Sequence, residues 1–335
     1  MDAPRSQVYW AGLDVSAEKF DAAVCQFPPD LSTWMSLRTR SFPLTRAGVR
    51  SFIDWLARRE GTCGGLCAEH TGIYSARLQQ MLESESTLPR LSLVNPRRIK
   101  GAARMLDAPG KSDVIDARVI AVYAATNRPA PKAPLRDAHR RLREALKVRD
   151  ALLKQENALN NMLISLDDRE SKSSINTVIR SLQRQRERAE ERARAIIDGD
   201  PQLATDWSLL QTVPTIGPQV ATAILSVYGD LRTWRRRETL AIAGLAPLPR
   251  ESGKSVRGRP HISKRGGGML RAKQYLGATY LLRHDCGFNR QIMRRFAANE
   301  PANVMIVALM SKVLLVARAV VKSGRPFDKE RWQAA

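Results

Sequence analysis

Four carboxylates in the N-terminal third have the types and spacing for metal chemistry. Asp14 lies in GLDVSAEKFD, Glu69 in GLCAEH, and Asp113 with Asp116 in KSDVIDAR. Residues three apart share one face of a helix, so Asp113 and Asp116 project the same way. Chemistry at a phosphodiester uses such a set: two Mg²⁺ ions about 4 Å apart take carboxylate oxygens from rigid elements and sit over one phosphate. Each residue also has a plain structural role open to it. Asp14 suits a turn, and Glu69 suits a surface ion pair with His70. Ser112-Asp113 suits a helix N-cap followed by a carboxylate that offsets the helix dipole. The ordered set of four is more specific than any one member.

A second constellation lies in GLAPLPRESGKSVRGRPHISKRGGGMLR, where Ser252 stands among Arg250, Lys254, Arg257, Arg259, Lys264 and Arg265. A serine that attacks phosphorus needs its hydroxyl activated and the phosphate charge neutralised, and the cations meet the second need. Gly253, Gly258 and Gly266–Gly268 let backbone approach a phosphate closely. A basic loop that merely holds DNA backbone has the same composition, and Ser255 and Ser263 compete with Ser252 as nucleophile. Upstream, VPTIGPQVA resembles the turn of a helix–hairpin–helix, whose backbone amides, near Gly217, hold a phosphate. Thr215 stands where that turn usually has glycine.

The elements that must position these groups follow from periodicity. Val8–Val15 and Phe20–Phe27 read as a strand hairpin, and Ser36–Leu44 as a third strand. Thr45 reads as the N-cap of an amphipathic helix through Val49, Phe52, Ile53 and Leu56, ended by the glycines at 61, 64 and 65. Strands at Gly65–His70 and Leu91–Val94 then alternate with helices at Ser75–Glu85, Arg97–Leu106 and Ser112–Thr126. A three-stranded meander followed by alternating helices and strands is the order of an RNase H-like α/β domain. Asn127–Pro134, with three prolines, reads as a linker. Leu152, Leu159 and Leu166 recur every seven residues, with Leu146 and Leu153 beside them. A break is expected at Glu170–Ser174, after which Ile175, Val178, Ile179 and Leu182 resume the stripe. Two long helices in an antiparallel coiled-coil arm fit this pattern, with RQRERAEERAR as a solvated face. Residues 244–268 read as a loop, and Met269–Leu282 and Asn303–Val321 as apolar helices. The fold class expected is α/β plus mainly α. An RNase H-like domain covers 1–126, a linker and helical arm 127–200, and a mainly helical domain 201–335.

The net charge is +22 over 335 residues, which implies a polyanionic partner. Residues 201–335 carry 22 Lys/Arg against 8 Asp/Glu, so the C-terminal part is the main footprint for nucleic acid. Cys63 and Cys67 form a lone C-x₃-C without a second pair, and reduced thiols fit the four cysteines better than zinc. No uninterrupted apolar run reaches the roughly 18 residues of a membrane span, and MDAPRSQVYW lacks the marks of a signal peptide, so a cytoplasmic location is expected. GLDVS also resembles the first phosphate loop of actin-like sugar kinases. The second Gly-rich phosphate loop of those enzymes and a GxxxxGK[ST] segment are both missing from the sequence, which excludes that class.

Taken together, the two constellations resemble the insertion sequence 110 family of transposases. The resemblance runs through GLDVSAEKFD, AEHTGIY, KSDVIDARVIA, the helical middle, PTIGP and GLAP…SGKSVRG…ISKRGGGMLR, in that order over nearly the whole chain. It implies a RuvC-like domain whose metal-binding carboxylates are Asp14, Glu69, Asp113 and Asp116, with Mg²⁺ as cofactor. It also implies a transposase domain whose nucleophile is Ser252. It further implies a covalent serine–DNA intermediate, a structured non-coding bridge RNA that pairs with donor and target DNA, and dimers that assemble into tetramers. The competing expectations are a RuvC-like junction endonuclease that uses two-metal hydrolysis without a protein nucleophile, and a non-catalytic nucleic-acid scaffold. A covalent protein–DNA adduct separates the first from both.

Overall fold

The computed structural model describes residues 7–85, 88–131, 136–252, 256–264, 268–284 and 300–328, with positions 290, 294 and 330. The chain forms two compact units, Met1–Pro134 and Leu135–Ala335.

The first unit is built on a five-stranded sheet in the order β3-β2-β1-β4-β5. Its strands are β1 (Val8–Val15), β2 (Lys19–Phe27), β3 (Thr39–Pro43), β4 (Thr62–Glu69) and β5 (Leu91–Val94). The first three form an antiparallel meander, while β4 runs parallel to β1 and β5 parallel to β4. Alternation along each strand sorts the side chains onto two faces. Tyr9, Ala11, Leu13, Phe20, Ala22 and Leu66 meet α1 (Arg46–Ala57) and α2 (Ile73–Glu85). Trp10, Ala23, Cys25 and Cys67 meet α3 (Pro96–Met105) and α4 (Asp113–Asn127). With both faces covered, β1 and the middle of β2 are apolar almost throughout rather than alternating with polar residues, while the edge strand β3 stays mostly exposed.

Two expectations here are corrected. Gly64 and Gly65 do not end α1 but lie inside β4, where an added Cβ would stand 2.9 Å and 2.3 Å from the Trp10 ring. Their role is to make room for that indole. The third strand is shorter than Ser36–Leu44, because Trp34–Ser36 turns as a 3-10 helix that buries Trp34 and only Thr39–Pro43 pairs with β2.

The second unit begins with two long helices, α5 (Asp137–Ile164) and α6 (Arg169–Asp198). The break between them falls at Ser165–Asp168 rather than Glu170–Ser174, because the Asp168 carboxylate caps α6 by accepting from Ser171 N at 2.7 Å. Arg149 bonds Glu190 at 2.9 Å and Arg186 bonds Glu156 at 3.1 Å, a pairing that fixes the helices as antiparallel. Arg149 and Glu156 are buried while Leu152 and Leu159 are only half-buried, so ion pairs join Leu142, Ala145, Ile179, Ala189 and Ala193 among the buried residues of these helices. Further helices among the described residues include α7 (Pro201–Gln211), α8 (Pro218–Tyr228), α9 (Arg236–Ala243), α10 (Gly268–Arg283) and α11 (Ala302–Ser323). They close around Leu203, Leu210, Ile224, Tyr228, Leu309 and Leu314. By length and composition α11 could cross a membrane, with a mean hydropathy of 2.3, yet half of that stretch is buried within the core. The segment expected as a loop contains a hairpin instead, β6 (Pro247–Ser252) paired antiparallel with β7 (Val256–Ile262). Its Gly and Pro lower strand propensity, but cross-strand hydrogen bonds satisfy the backbone and decide the outcome.

Candidate active site

All four sequence-selected carboxylates of the first unit gather at one end of the sheet. Asp14 is the penultimate residue of β1 and Glu69 the last of β4, and the parallel register runs Leu13↔Ala68 just before them. Both follow the alternation onto the face covered by α4. Asp113 opens α4 and Asp116 lies in the same first turn. Ser112 caps this helix by accepting from Ile115 N at 3.3 Å, so the capping role holds for Ser112 and brings Asp113 with it. The carboxyl ends of parallel strands are where open α/β sheets place their chemistry.

Electrostatics ties the group together. The Asp14 carboxyl is pushed up to about 6, first by burial and then by repulsion from Asp116, Asp113, Glu69 and Asp21. Asp116 is also raised, by burial above all and by Asp113, against the pull of Lys111. Asp21 is the member that sequence reasoning missed. It stands directly opposite Asp14 in the β1–β2 ladder and is buried, with Ser41 Oγ donating to it at 2.5 Å. Two like charges directly opposed across strands are unfavourable without a cation. Lys19 Nζ supplies one, 3.0 Å from Asp21 Oδ2 and 3.0 Å from Asp113 Oδ2. The signal in the sequence was the hairpin itself, since a tight turn after Val15 sets Asp14 against Asp21.

An all-oxygen donor set suits a hard cation such as Mg²⁺. The charge crowded onto half-buried Asp14 is what such an ion relieves, so the residues fit it. Among the described residues, no three His, Cys, Asp or Glu side chains are gathered closely enough to hold an ion as they stand. The thiols play no part in this. Burial pushes Cys63 up to about 11 and Cys67 up to about 12, so both stay protonated near neutral pH.

In the second unit Ser252 is the last residue of β6, its backbone paired with Val256. Arg250 pairs with Gly258 and Arg257 with Glu251, and Arg259 also lies in β7. Lys254, Ser255 and Arg265 lie outside the described residues. Lys264 is exposed, and its N–H donates to Gly244 O at 3.0 Å. Ser263 Oγ is buried without a hydrogen-bond partner among the described residues. Gly217 is the N-cap of α8 in extended conformation. Thr215 adopts φ 67°, the left-handed conformation that favours glycine. The turn therefore departs from the usual helix–hairpin–helix in residue type but keeps glycine's backbone.

A carboxylate cluster at the strand ends and a strongly basic second unit fit the class of enzymes that act on the phosphodiester backbone of nucleic acid. Residues 11–168 match a transposase family of the DEDD, IS110 type, and residues 207–295 match the transposase IS116/IS110/IS902 family. Pilin gene-inverting proteins of Moraxella lacunata and Moraxella bovis are each 27% identical to the chain over 330 residues, 96% of this chain and 98% of theirs. The chain belongs to the IS110 family of transposases.

Proposed function

We propose that this transposase excises and inserts a mobile element, using Mg²⁺ held by Asp14, Glu69, Asp113 and Asp116 and Ser252 as nucleophile. The observation that carries the metal half is the convergence of Asp116, Asp113, Glu69 and Asp21 on Asp14, whose pKa is raised to about 6 by burial first and by these charges second. The strand order β3-β2-β1-β4-β5, with β1 at the centre and β2 antiparallel to the others, supports an RNase H-like fold for this part. When bound, Mg²⁺ supplies Lewis-acid polarisation of the phosphate oxygens. Ser252 Oγ forms a new P–O bond as a backbone P–O bond breaks, and the serine proton leaves with the DNA hydroxyl. Attack by a DNA hydroxyl on that ester reverses the step and conserves the bond energy. Inverting a gene, the activity named for the Moraxella relatives, likewise demands that every cut be resealed. Arg250, Lys254, Arg257, Arg259, Lys264, Arg265 and the amides at Gly217 hold phosphates. The division of labour is a RuvC-like domain over 1–126, a coiled-coil arm over 127–200 that pairs chains into dimers and tetramers, and a serine transposase domain over 201–335. The +22 charge supports a polyanionic partner, and the family resemblance adds a bridge RNA as guide beside donor and target DNA, in the cytoplasm.

The test is a pair of variants. Asp116→Asn should lower Mg²⁺-dependent DNA cleavage by roughly a hundredfold or more with an unchanged circular dichroism spectrum. Ser252→Ala should abolish the covalent protein–DNA adduct on a denaturing gel. Cleavage that persists in EDTA overturns the metal reading, and Mg²⁺-dependent nicking without any adduct in the parent protein selects the junction endonuclease instead.

A further inference from the structure

We propose that Lys19 is the internal counter-cation of the carboxylate cluster and competes with the divalent metal for Asp113. Its Nζ bridges Asp21 and Asp113 at 3.0 Å each, so one ammonium joins the β-hairpin to the first turn of α4. The two anchors differ in kind. Asp21 is 5% exposed, lies two residues from Lys19 on the same strand face, and is fixed by Ser41 Oγ at 2.5 Å. The Asp113 side chain is 54% exposed and that of Lys19 46% exposed. An ion pair this open to water is weak and screened by salt. Asp21 is thus the permanent seat of Lys19, and Asp113 is the partner it gives up. A metal ion that takes Asp113 must displace Lys19, and the freed ammonium stays tethered at Asp21.

The inference rests on the metal reading given under Proposed function. Mg²⁺ and Mn²⁺ binding to the full chain is measured by titration calorimetry, together with the melting temperature in EDTA and in saturating Mg²⁺. Lys19→Met keeps length and apolar stem without charge. It should bind Mg²⁺ about two- to fivefold more tightly than the parent, the range expected for loss of one exposed competing pair. It should melt lower in EDTA and recover more than the parent does on adding Mg²⁺. Lys111→Met removes a cation that also acts on Asp116 but bridges no carboxylate in the cluster, and its effect on the metal Kd should stay under twofold. Lys19→Arg keeps the charge, should bind metal as the parent does, and serves if the Met variant fails to fold. Its expected Kd then carries the test together with Lys19→Gln, which also removes the charge and should tighten metal binding. Parent binding with no change in Lys19→Met, or an equal change in Lys111→Met, overturns the role of Lys19 alone. A parent chain that takes up no metal at millimolar concentration overturns both readings.

Discussion

Gly12 lies against the backbone of Ala121, so close that a Cβ added to Gly12 would stand 2.1 Å from the Ala121 nitrogen. Gly12 is two residues before Asp14 on the same face of β1, and Ala121 is on α4, whose first turn carries Asp113 and Asp116. The missing side chain thus lets the helix settle onto the strand and brings the two halves of the carboxylate cluster together.

Gly12→Val should push α4 off the sheet. Overpacking of a tight core costs about 1–3 kcal/mol, so the melting temperature should fall. DNA cleavage should fall far more than the surviving folded fraction explains, because Asp113 and Asp116 move with the helix. Activity that merely tracks the folded fraction, measured by circular dichroism, would show that the approach of α4 is not what builds the site.

The pH response of Asp14 has a definite sign. Its folded carboxyl titrates at about 6, above the roughly 3.9 of an unfolded chain. The group therefore favours the fold below about pH 4, and that contribution is lost as pH rises through about 6. Metal-free protein should lose stability over this window, and Asp14→Asn should flatten the loss. Mg²⁺ binding needs the ionised form, so the metal affinity should climb up to about pH 6 and then level off. An affinity already flat from about pH 5 would contradict the assignment.

Thr215 and Gly277 form a testable pair. Thr215 holds φ 67°, and a Cβ on Gly277 of α10 would come within 2.9 Å of the Thr215 Cβ. A left-handed β-branched residue costs about 1 kcal/mol or more, so Thr215→Gly should stabilise the protein by roughly that amount. Gly277→Ala should destabilise it, and Thr215→Gly should recover part of that loss, giving a coupling energy above about 0.5 kcal/mol. Strict additivity in urea unfolding would deny the contact.

Arg232 neutralises a buried acid. Its guanidinium grips Asp206, 1% exposed, at 2.6 Å and 2.7 Å. Arg232→Ala leaves that carboxylate without its partner and should cost about 3 kcal/mol. Asp206→Asn with Arg232→Ala should restore some stability, since the stranded charge is gone. Chemical unfolding of the three variants checks the order.

A covalent adduct also tests how the two sites cooperate. An Asp14→Asn chain mixed with a Ser252→Ala chain, each inactive alone, should regain some adduct if the cluster of one chain serves the serine of another. The label should sit on the chain that keeps Ser252. Mixed assemblies that form yet yield no adduct would place both groups of each working site in one chain.

Much of this protein is legible in local sequence. Hydrophobic periodicity located β1, β5 and α4 to within a residue or two, and Thr45 announced α1 by its capping chemistry. The order of Asp14, Glu69, Asp113 and Asp116 pointed to metal chemistry because strand ends and first turns are where rigid carboxylates sit. These features depend on neighbours within about one turn or one hairpin, which the chain carries with it.

What the tertiary structure alone decided is which distant groups meet. Gly64 and Gly65 read as helix terminators, yet they yield space to Trp10 on a neighbouring strand. The basic segment read as a loop, yet β6 and β7 pair because backbone hydrogen bonds outweigh weak propensity. Asp21 looked like one more hairpin residue until α4 packed over Gly12 and brought Asp113 to the far side of Lys19. Burial, opposed charge and steric room are properties of the packed surroundings rather than of the residue, so no window of sequence contains them.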